Sequence, residues 1–528
     1  MSVNNSKQSA YLPFFFAFTL LLGVLVGTLI NFTGNPLSLP RKSDKIGRLL
    51  QIIDKEYVDE VNTDSLSELA IATLLSELDP HSTYIPPTDL QQVNEDMEGN
   101  FEGVGIEFNL MEDTINVATV ISGGPSEKAG IMPGDRIVEI NGEKVAGIGI
   151  KNEEVIKKLR GKRGTKVKVG IKRKSVAKLL EFEIKRDKIP LYSVDASFML
   201  NKETGYIKIS RFSATTFEEY ENAMDKLRKQ GMKKLMLDLR GNPGGYLDQA
   251  VDLVDDFLKK DEMIVYTQGK NRKKQEYTAT SKGNWEDEPL AILIDETSAS
   301  ASEIVAGAIQ DQDRAPIIGR RSFGKGLVQE QIEFEDGSAM RLTVARYYTP
   351  SGRSIQRTYK NGTEAYYMEI YERMGGKAAD SSETAGDTVK YYTKNKRVVY
   401  GGGGVRPDYI VPEDSSLYAE SMIALYRTNA INRFAFDYTD KNRELIQKSF
   451  PSYFAFAKSS EAETRIKQSL GEFLKLSKDT KDIQITKLGL MRVKANIARN
   501  IWGNEAYYFI LAVYDADVLF AEKKLSGI

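Results

Sequence analysis

The chain has 528 residues, 41% of them hydrophobic, which is enough to bury several cores and to divide into three or four domains. Its 73 lysines and arginines nearly cancel 74 aspartates and glutamates, so no strong field gathers nucleic acid and no nucleic-acid partner is expected. Cysteine is absent and histidine occurs once, at His81, which excludes disulfides, thiol catalysis and thiolate or histidine-rich metal sites; no metal and no cofactor are expected.

No charged residue occurs over residues 8–40, and residues 11–30 ("YLPFFFAFTLLLGVLVGTLI") would be about 30 Å long as a helix, enough to cross a bilayer. Apolar character all round the helix argues against a buried core helix. "VGTLINFTGN" is a poor signal-peptidase site, so residues 1–35 are expected to form a tail and an uncleaved membrane anchor rather than a cleaved signal peptide. The flanking charges, Lys7 before and Arg41, Lys42, Lys45 and Arg48 after, would by themselves keep the following domains in the cytoplasm.

Residues 36–99 form a helical region by pattern, with apolar residues at three- and four-residue spacing in "DKIGRLLQIIDKEYV" and "DSLSELAIATLLSELDP". Over residues 100–188 the period changes. "DTINVATVISGGPSEKAGIMPGDRIVEINGEKV" alternates as strands do between glycine-proline turns, "EEVIKKLRG" is a short helix, and "TKVKVGIKRK" is a strand with one face in solvent. With "GVGI" (Gly103, Val104, Gly105, Ile106) ahead of it, this order resembles a PDZ domain. Such a domain implies a glycine loop that meets a ligand's terminal carboxylate and a strand edge that pairs with its last residues.

Residues 189–411 alternate strand and helix: "GYIKISRF", "TTFEEYENAMDKLRKQG" with Thr216 and Glu219 spaced as a capping box, "KKLMLDLRGNPGG", "YLDQAVDLVDDFL", "PLAILID", "SASASEIVAGAIQDQ". Such units predict a largely parallel sheet whose sites gather at the carboxyl ends of strands, where both "RGNPGG" and "ETSASASE" lie. A polar stretch at residues 361–395 reads as a surface insertion. Residues 412–528 are mostly helical, without a motif that carries chemistry.

A serine that attacks a carbonyl must stand exposed at a turn, with N–H groups nearby for the oxyanion and a base for its proton. Ser300 stands where a strand gives way to a helix, so the N–H of Ala301 and the positive helix end face one point. Ser298 reads as a helix N-cap and Ser302 as a packed residue, and by itself the cluster fits a cap as well as a nucleophile. The base decides between them. Lys325 lies between two glycines in "SFGKG", where the backbone can pack closely, and Gln329 four residues on can orient its amine. Only burial that lowers its pKa from about 10.4 to roughly 7–8 would make this lysine a base near neutrality.

These residues resemble the C-terminal processing (tail-specific) peptidases of the serine-lysine type. "SASASEI", the lysine of "FGKG" 25 residues after Ser300, and "VQ" match that family's signature, and "LDPHSTYI", the PDZ segment, "LDLRGNPGG" and "GGGGVRPD" extend the likeness to roughly residues 41–412. The resemblance implies Ser300 as nucleophile, Lys325 as general base and Gln329 as its orienting partner. It implies oxyanion donors at Ala301 and at a glycine of "RGNPGG", Gly244 being preferred to Gly245, and leaves His81 a structural role. It further implies a multidomain α+β fold: N-terminal membrane helix, helical region, PDZ β domain, crotonase/ClpP-like α/β protease core and C-terminal helical domain.

The activity implied is that of a membrane-anchored serine endopeptidase that processes or degrades envelope proteins. It would sit in the inner membrane with its catalytic part on the periplasmic or outer side, against the flanking charges. Partners would be protein or peptide substrates with free C-terminal tails and, through the anchor, the membrane; an adaptor protein and a homo-oligomer stay open. A PDZ scaffold with a dead protease domain would lack the nucleophile or the base, and both are present. A crotonase-like acyl-CoA enzyme would leave the PDZ segment and the anchor unexplained.

Overall fold

The computed structural model describes residues 45–121, 123–174, 176–374, 389–412, 419–476 and 479–527, together with residues 17, 20 and 22. All but three residues of the expected membrane helix, and residues 375–388 of the expected insertion, lie outside the described residues. Among the described residues no helix is long and apolar enough to cross a membrane. The chain divides into two units, Met1–Leu74 and Leu75–Ile528. The first holds the helix Lys45–Glu56, none of whose residues is buried, and most of the helix Thr63–Ser76, both where apolar spacing predicts them.

In the second unit the PDZ segment folds as an antiparallel sheet in the order Ile106–Met111, Thr114–Val120, Arg136–Ile140, Lys166–Lys172, Leu180–Lys185. Val167, Val169 and Ile171 are buried while Lys166, Lys168 and Lys172 are exposed, the alternation read from the sequence. Ile106–Met111 and Leu180–Lys185 are the sheet's edge strands. Ile106, Phe108 and Leu110 of the first pack on the core that also contains Val155 and Leu159 of the helix Asn152–Leu159.

A six-stranded sheet in the order Val194–Met199, Thr204–Ile209, Lys234–Asp238, Leu290–Ile294, Ile317–Gly319, Tyr409–Ile410 centres the protease core; the first pair is antiparallel and the rest are parallel. Every residue of Leu290–Ile294 is buried because both faces of the sheet are covered. The helices Thr216–Lys229, Leu247–Asp255 and Ala301–Asp311 pack on one face. Phe198, Met236, Leu293 and Ile318 on the other face pack on Phe434, Leu490, Phe509 and Val518 of the C-terminal helices. Residues 419–476 and 479–527 therefore supply the second cover of the catalytic sheet.

A further sheet built on the long strand Ala339–Tyr348 receives Leu327–Glu333, Met263–Gln268 and Thr83–Ile85. Thr83–Ile85 lies in the stretch expected to be helical. Alternation over three residues is too short to read, and pairing with a partner some 260 residues away decides its form. In the expected insertion, Thr363–Met374 is a helix with Tyr366 and Ile370 buried, regular structure that the irregular, polar pattern did not suggest.

Phe509 is 2% exposed and meets the Phe198, Tyr453 and Phe454 rings at centroid distances of 5.3, 5.5 and 4.6 Å. Phe509→Ala should lower the unfolding free energy by about 3–5 kcal/mol in denaturant titration. An unchanged midpoint would mean that the C-terminal helices do not share the core's stability.

Candidate active site

The parallel strands end at Asp238, Ile294 and Gly319, and the loops that leave them converge. In the middle loop Ser298 donates its hydroxyl to Leu239 O at 2.9 Å and accepts the Asp295 N–H at 2.9 Å. The sequence reading made it a helix N-cap; it instead ties the turn to the neighbouring strand, and the helix starts two residues later. Ser302 donates to Asn242 O at 3.0 Å and is buried, as expected.

Ser300 stands at the cap position before Ala301–Asp311 with φ 54° and ψ −112°, a sharp strand-to-helix turn of the kind that projects a nucleophile. Its N–H donates to Glu303 Oε2 at 2.9 Å. A Cβ at Gly244 would lie 2.7 Å from Ser300 Cβ and 2.9 Å from Ala301 N, so only glycine lets the 238–246 loop close on this turn. Ala301 opens the helix, and its N–H has no carbonyl one turn back to bond. The Gly244 N–H donates to Asn242 Oδ1 at 2.8 Å.

Lys325 lies in the 320–326 loop, which is pinned to the Ser298 turn by the Phe323 N–H donating to Ser298 O at 2.9 Å. Its Nζ donates to Gln329 Oε1 at 2.9 Å, and Gln329 Nε2 donates to the carbonyl of His81. A register shift between Val328 and Gln329 re-aims the strand just before that glutamine. Burial, helped by the Arg341 guanidinium, lowers the Lys325 pKa to about 8 against the pull of Asp79 and Glu303. The shift lies in the direction and range that a neutral amine requires.

His81 contributes its backbone. Its ring Nε2 lies 2.9 Å from Tyr366 Oη, and burial together with Lys325 lowers its pKa to about 4, so the imidazole is neutral at pH 7. The "DPHS" turn, expected to be structural, therefore holds Gln329 through a carbonyl.

Two residues missed in the sequence bind this arrangement together. Glu303, fully buried, accepts from the N–H groups of Ser300 (2.9 Å), Gly324 (2.8 Å) and Lys325 (2.8 Å) and from the Ser322 hydroxyl. Burial raises its pKa to about 7 even though these donors oppose the rise. Its signal was in the sequence, since Ser300 and Glu303 have capping-box spacing. Tyr347, on the strand Ala339–Tyr348, donates its hydroxyl to Ser300 O at 3.0 Å and to Lys325 O, and no local pattern marks it.

The PDZ loop is equally tied. Val104 O accepts from Ser126 Oγ at 2.6 Å and Gly105 O from Ile121 N at 3.0 Å, with Gly105 at φ 77°.

Glu303→Gln puts an amide N–H against a cluster of donors and should cost about 1–3 kcal/mol in denaturant unfolding. A wild-type unfolding curve would show that the carboxylate does not hold these loops.

The chain matches peptidase family S41 over residues 203–365, the PDZ domain over residues 103–185 and a family of unknown function (DUF8443) over residues 422–503. It is similar to the carboxy-terminal processing protease CtpA of Bacillus subtilis (strain 168), 35% identical over 383 residues that cover 71% of this chain and 81% of that one. To CtpB of the same strain it is 38% identical over 326 residues, covering 61% and 66%. Among solved structures it is similar to a photosystem II D1 C-terminal processing protease, 28% identical, with a TM-score of 0.34, covering 59% of this chain and 83% of that one. With the peptidase and PDZ matches in place and a relative aligned over most of both lengths, the chain belongs to the carboxy-terminal processing proteases, serine peptidases of family S41.

Proposed function

We propose that this peptidase works through a Ser300–Lys325 dyad with Gln329 orienting the lysine, and that its PDZ domain selects substrates by a free C-terminal tail. The observation that carries the reading is the half-buried Lys325 amine held on Gln329 in a loop that Glu303 and Tyr347 join to the strained Ser300 turn. The neutral lysine takes the Ser300 Oγ proton as the oxygen attacks the scissile carbonyl, and the resulting ammonium returns a proton to the leaving amine. Water then attacks the acyl-enzyme with the same base.

Ala301 N–H is one oxyanion donor and the Gly244 backbone lies opposite; Gly244 must release Asn242 Oδ1 before its own N–H can serve. The edge strand Ile106–Met111, beginning in the loop of Gly103, Val104, Gly105 and Ile106, supports tail binding by strand addition. The uncharged stretch at residues 8–40 supports an anchor in the inner membrane, and the kinship implies a catalytic part on its outer side acting on envelope proteins.

The test is cleavage of a model protein with an apolar C-terminus by wild type and by Ser300→Ala. Lys325→Arg should be as inactive as Lys325→Ala, because a guanidinium keeps its proton at any working pH; near wild-type turnover in Lys325→Arg would remove lysine as the base. With the Lys325 pKa at about 8, the neutral fraction grows as pH rises through that value. The wild-type kcat/KM should therefore climb about tenfold between pH 7 and its plateau above about pH 9, and a profile flat from pH 6 to 9 would contradict the dyad. Amidating the substrate's C-terminus should weaken cleavage; equal rates for free and amidated tails would remove the role given to the PDZ loop.

A further inference from the structure

Two loops set the geometry at Ser300: residues 238–246, which press Gly244 against it, and residues 319–326, which carry Lys325. Each carries an arginine just past the end of its strand, Arg240 after Lys234–Asp238 and Arg320 after Ile317–Gly319. The Ser300 turn lies between them, with the Asp295 carboxylate accepting the Gly241 N–H at 3.0 Å and Ile294 O accepting the Arg320 N–H at 3.1 Å.

Both guanidiniums reach the last helix of the chain, Ala516–Ser526. Arg240 Nη1 donates to both Asp515 oxygens at 2.9 Å and to Asp517 Oδ2 at 2.7 Å, and its Nη2 donates to Asp238 Oδ2 at 2.6 Å. Arg320 Nη1 donates to the same Asp517 oxygen at 3.1 Å, and its Nε to Glu296 Oε2 at 3.1 Å. One carboxylate oxygen of Asp517, whose side chain is 5% exposed, is thus shared by an arginine from each loop. Beside the cluster is a cavity of about 420 Å³ lined by Lys208, Gly241, Tyr508 and Met491 among others, which leaves room for a guanidinium released from Asp515 and Asp517 to shift and hydrate while Asp238 and Glu296 still pair with Arg240 and Arg320.

We propose that Asp515 and Asp517 are positioning residues of the peptidase site: through Arg240 and Arg320 the terminal helix holds the Gly244 loop and the Lys325 loop at a fixed spacing across Ser300. The proposal rests on the reading of Ser300 and Lys325 as the dyad. It gives the C-terminal helical region a part in the chemistry as well as in covering the sheet. The helix has a separate means of docking, since Val518, Ala521 and Leu525 are buried in the core shared with the sheet. Removing the two charges therefore need not undock it. Asp515 also caps this helix by accepting the Val518 N–H at 3.1 Å, a role that asparagine fills equally well.

The experiment compares full-length wild type, Ser300→Ala and the double variant Asp515→Asn/Asp517→Asn on a free-tailed protein substrate. Reaction of Ser300 with a fluorophosphonate, binding of the tail peptide and circular-dichroism melting are followed in parallel. In the folded double variant kcat and the phosphonylation rate should both fall about tenfold or more, while KM and tail-peptide affinity stay within about twofold, because misplacement of reacting groups acts on the chemical step. A kcat within about twofold of wild type, a loss confined to KM, or a loss that merely follows the melted fraction would overturn the proposal. Cleavage by Ser300→Ala would overturn the dyad, and the clamp with it, and is read in a separate arm from the aspartate effect.

Discussion

The buried carboxylate of Glu303 is the contact on which the rest of the site depends. A carboxylate in an apolar interior is stable only if donors surround it, and here the donors are the backbone of the two segments that must meet, Ser300 on one side and Gly324 and Lys325 on the other. Satisfying one group therefore brings the other two together. The Ser300 turn at φ 54° carries strain of about 1–3 kcal/mol, which these bonds and the Tyr347 hydroxyl over-determine from the N–H and the carbonyl sides. The "GGGGVRPD" segment joins the same construction. Val405 and Ser322 exchange bonds of 2.7 and 3.0 Å, and a Cβ at Gly404 would lie 2.5 Å from Ser322 O, so glycine there lets this irregular segment lie close on the lysine loop.

The proposed base, Lys325, depends on burial for its neutral form. Moving a lysine pKa from 10.5 to about 8 corresponds to roughly 3 kcal/mol of disfavoured charge, which the large core beneath the helix Ala301–Asp311 can absorb. The same burial acts on His81 and removes its usefulness as a base, since a group with its pKa near 4 takes up little proton at neutrality. What the fold uses of that residue is the carbonyl that receives Gln329, a role any residue type could fill if the turn were kept. The turn is kept by Asp79, whose carboxylate accepts from the N–H groups of His81 and Ser82.

Much of this was legible because the signals are local. Alternation in "TKVKVGIKRK", the apolar runs before "RGNPGG" and "ETSASASE", and the caps and glycines between them place the PDZ sheet and the parallel core. The sequence singles out Gln329 as a partner four residues past Lys325, and the structure bonds the two directly, while Ser300 and Lys325 are linked through their backbone N–H groups on Glu303. What was not legible depends on partners distant in sequence. Tyr347 looks like any strand tyrosine until the strand Ala339–Tyr348 is laid beside the lysine loop. Thr363–Met374 looks polar because its buried groups are few, yet Tyr366 packs under the Arg357 guanidinium at 3.8 Å and beside His81. Ser298 is not the cap because its hydroxyl, accepting the Asp295 N–H and donating to Leu239 O, holds the chain in a turn for two residues more.

The C-terminal helices add a contrast in how firmly the parts are held. They brace the PDZ sheet through Arg499–Glu107 at 2.9 Å and Arg136–Asp440 at 3.2 Å, and the first of these pairs is 37% and 40% exposed. Such pairs contribute about 0–1 kcal/mol each and weaken with salt. The same helices meet the catalytic loops through Asp517, nearly sealed from water and shared by two arginines, where breaking a pair costs far more than its formation yields. Both contacts grow from one apolar core, in which Val493 and Ile497 of the helix bearing Arg499 pack together with Val518 and Leu525 of the terminal helix. Glu107 lies on the edge strand that the proposed peptide tail would extend, so the lightly held contact falls where that ligand would enter and the firmly held one on the loops that carry the proposed dyad.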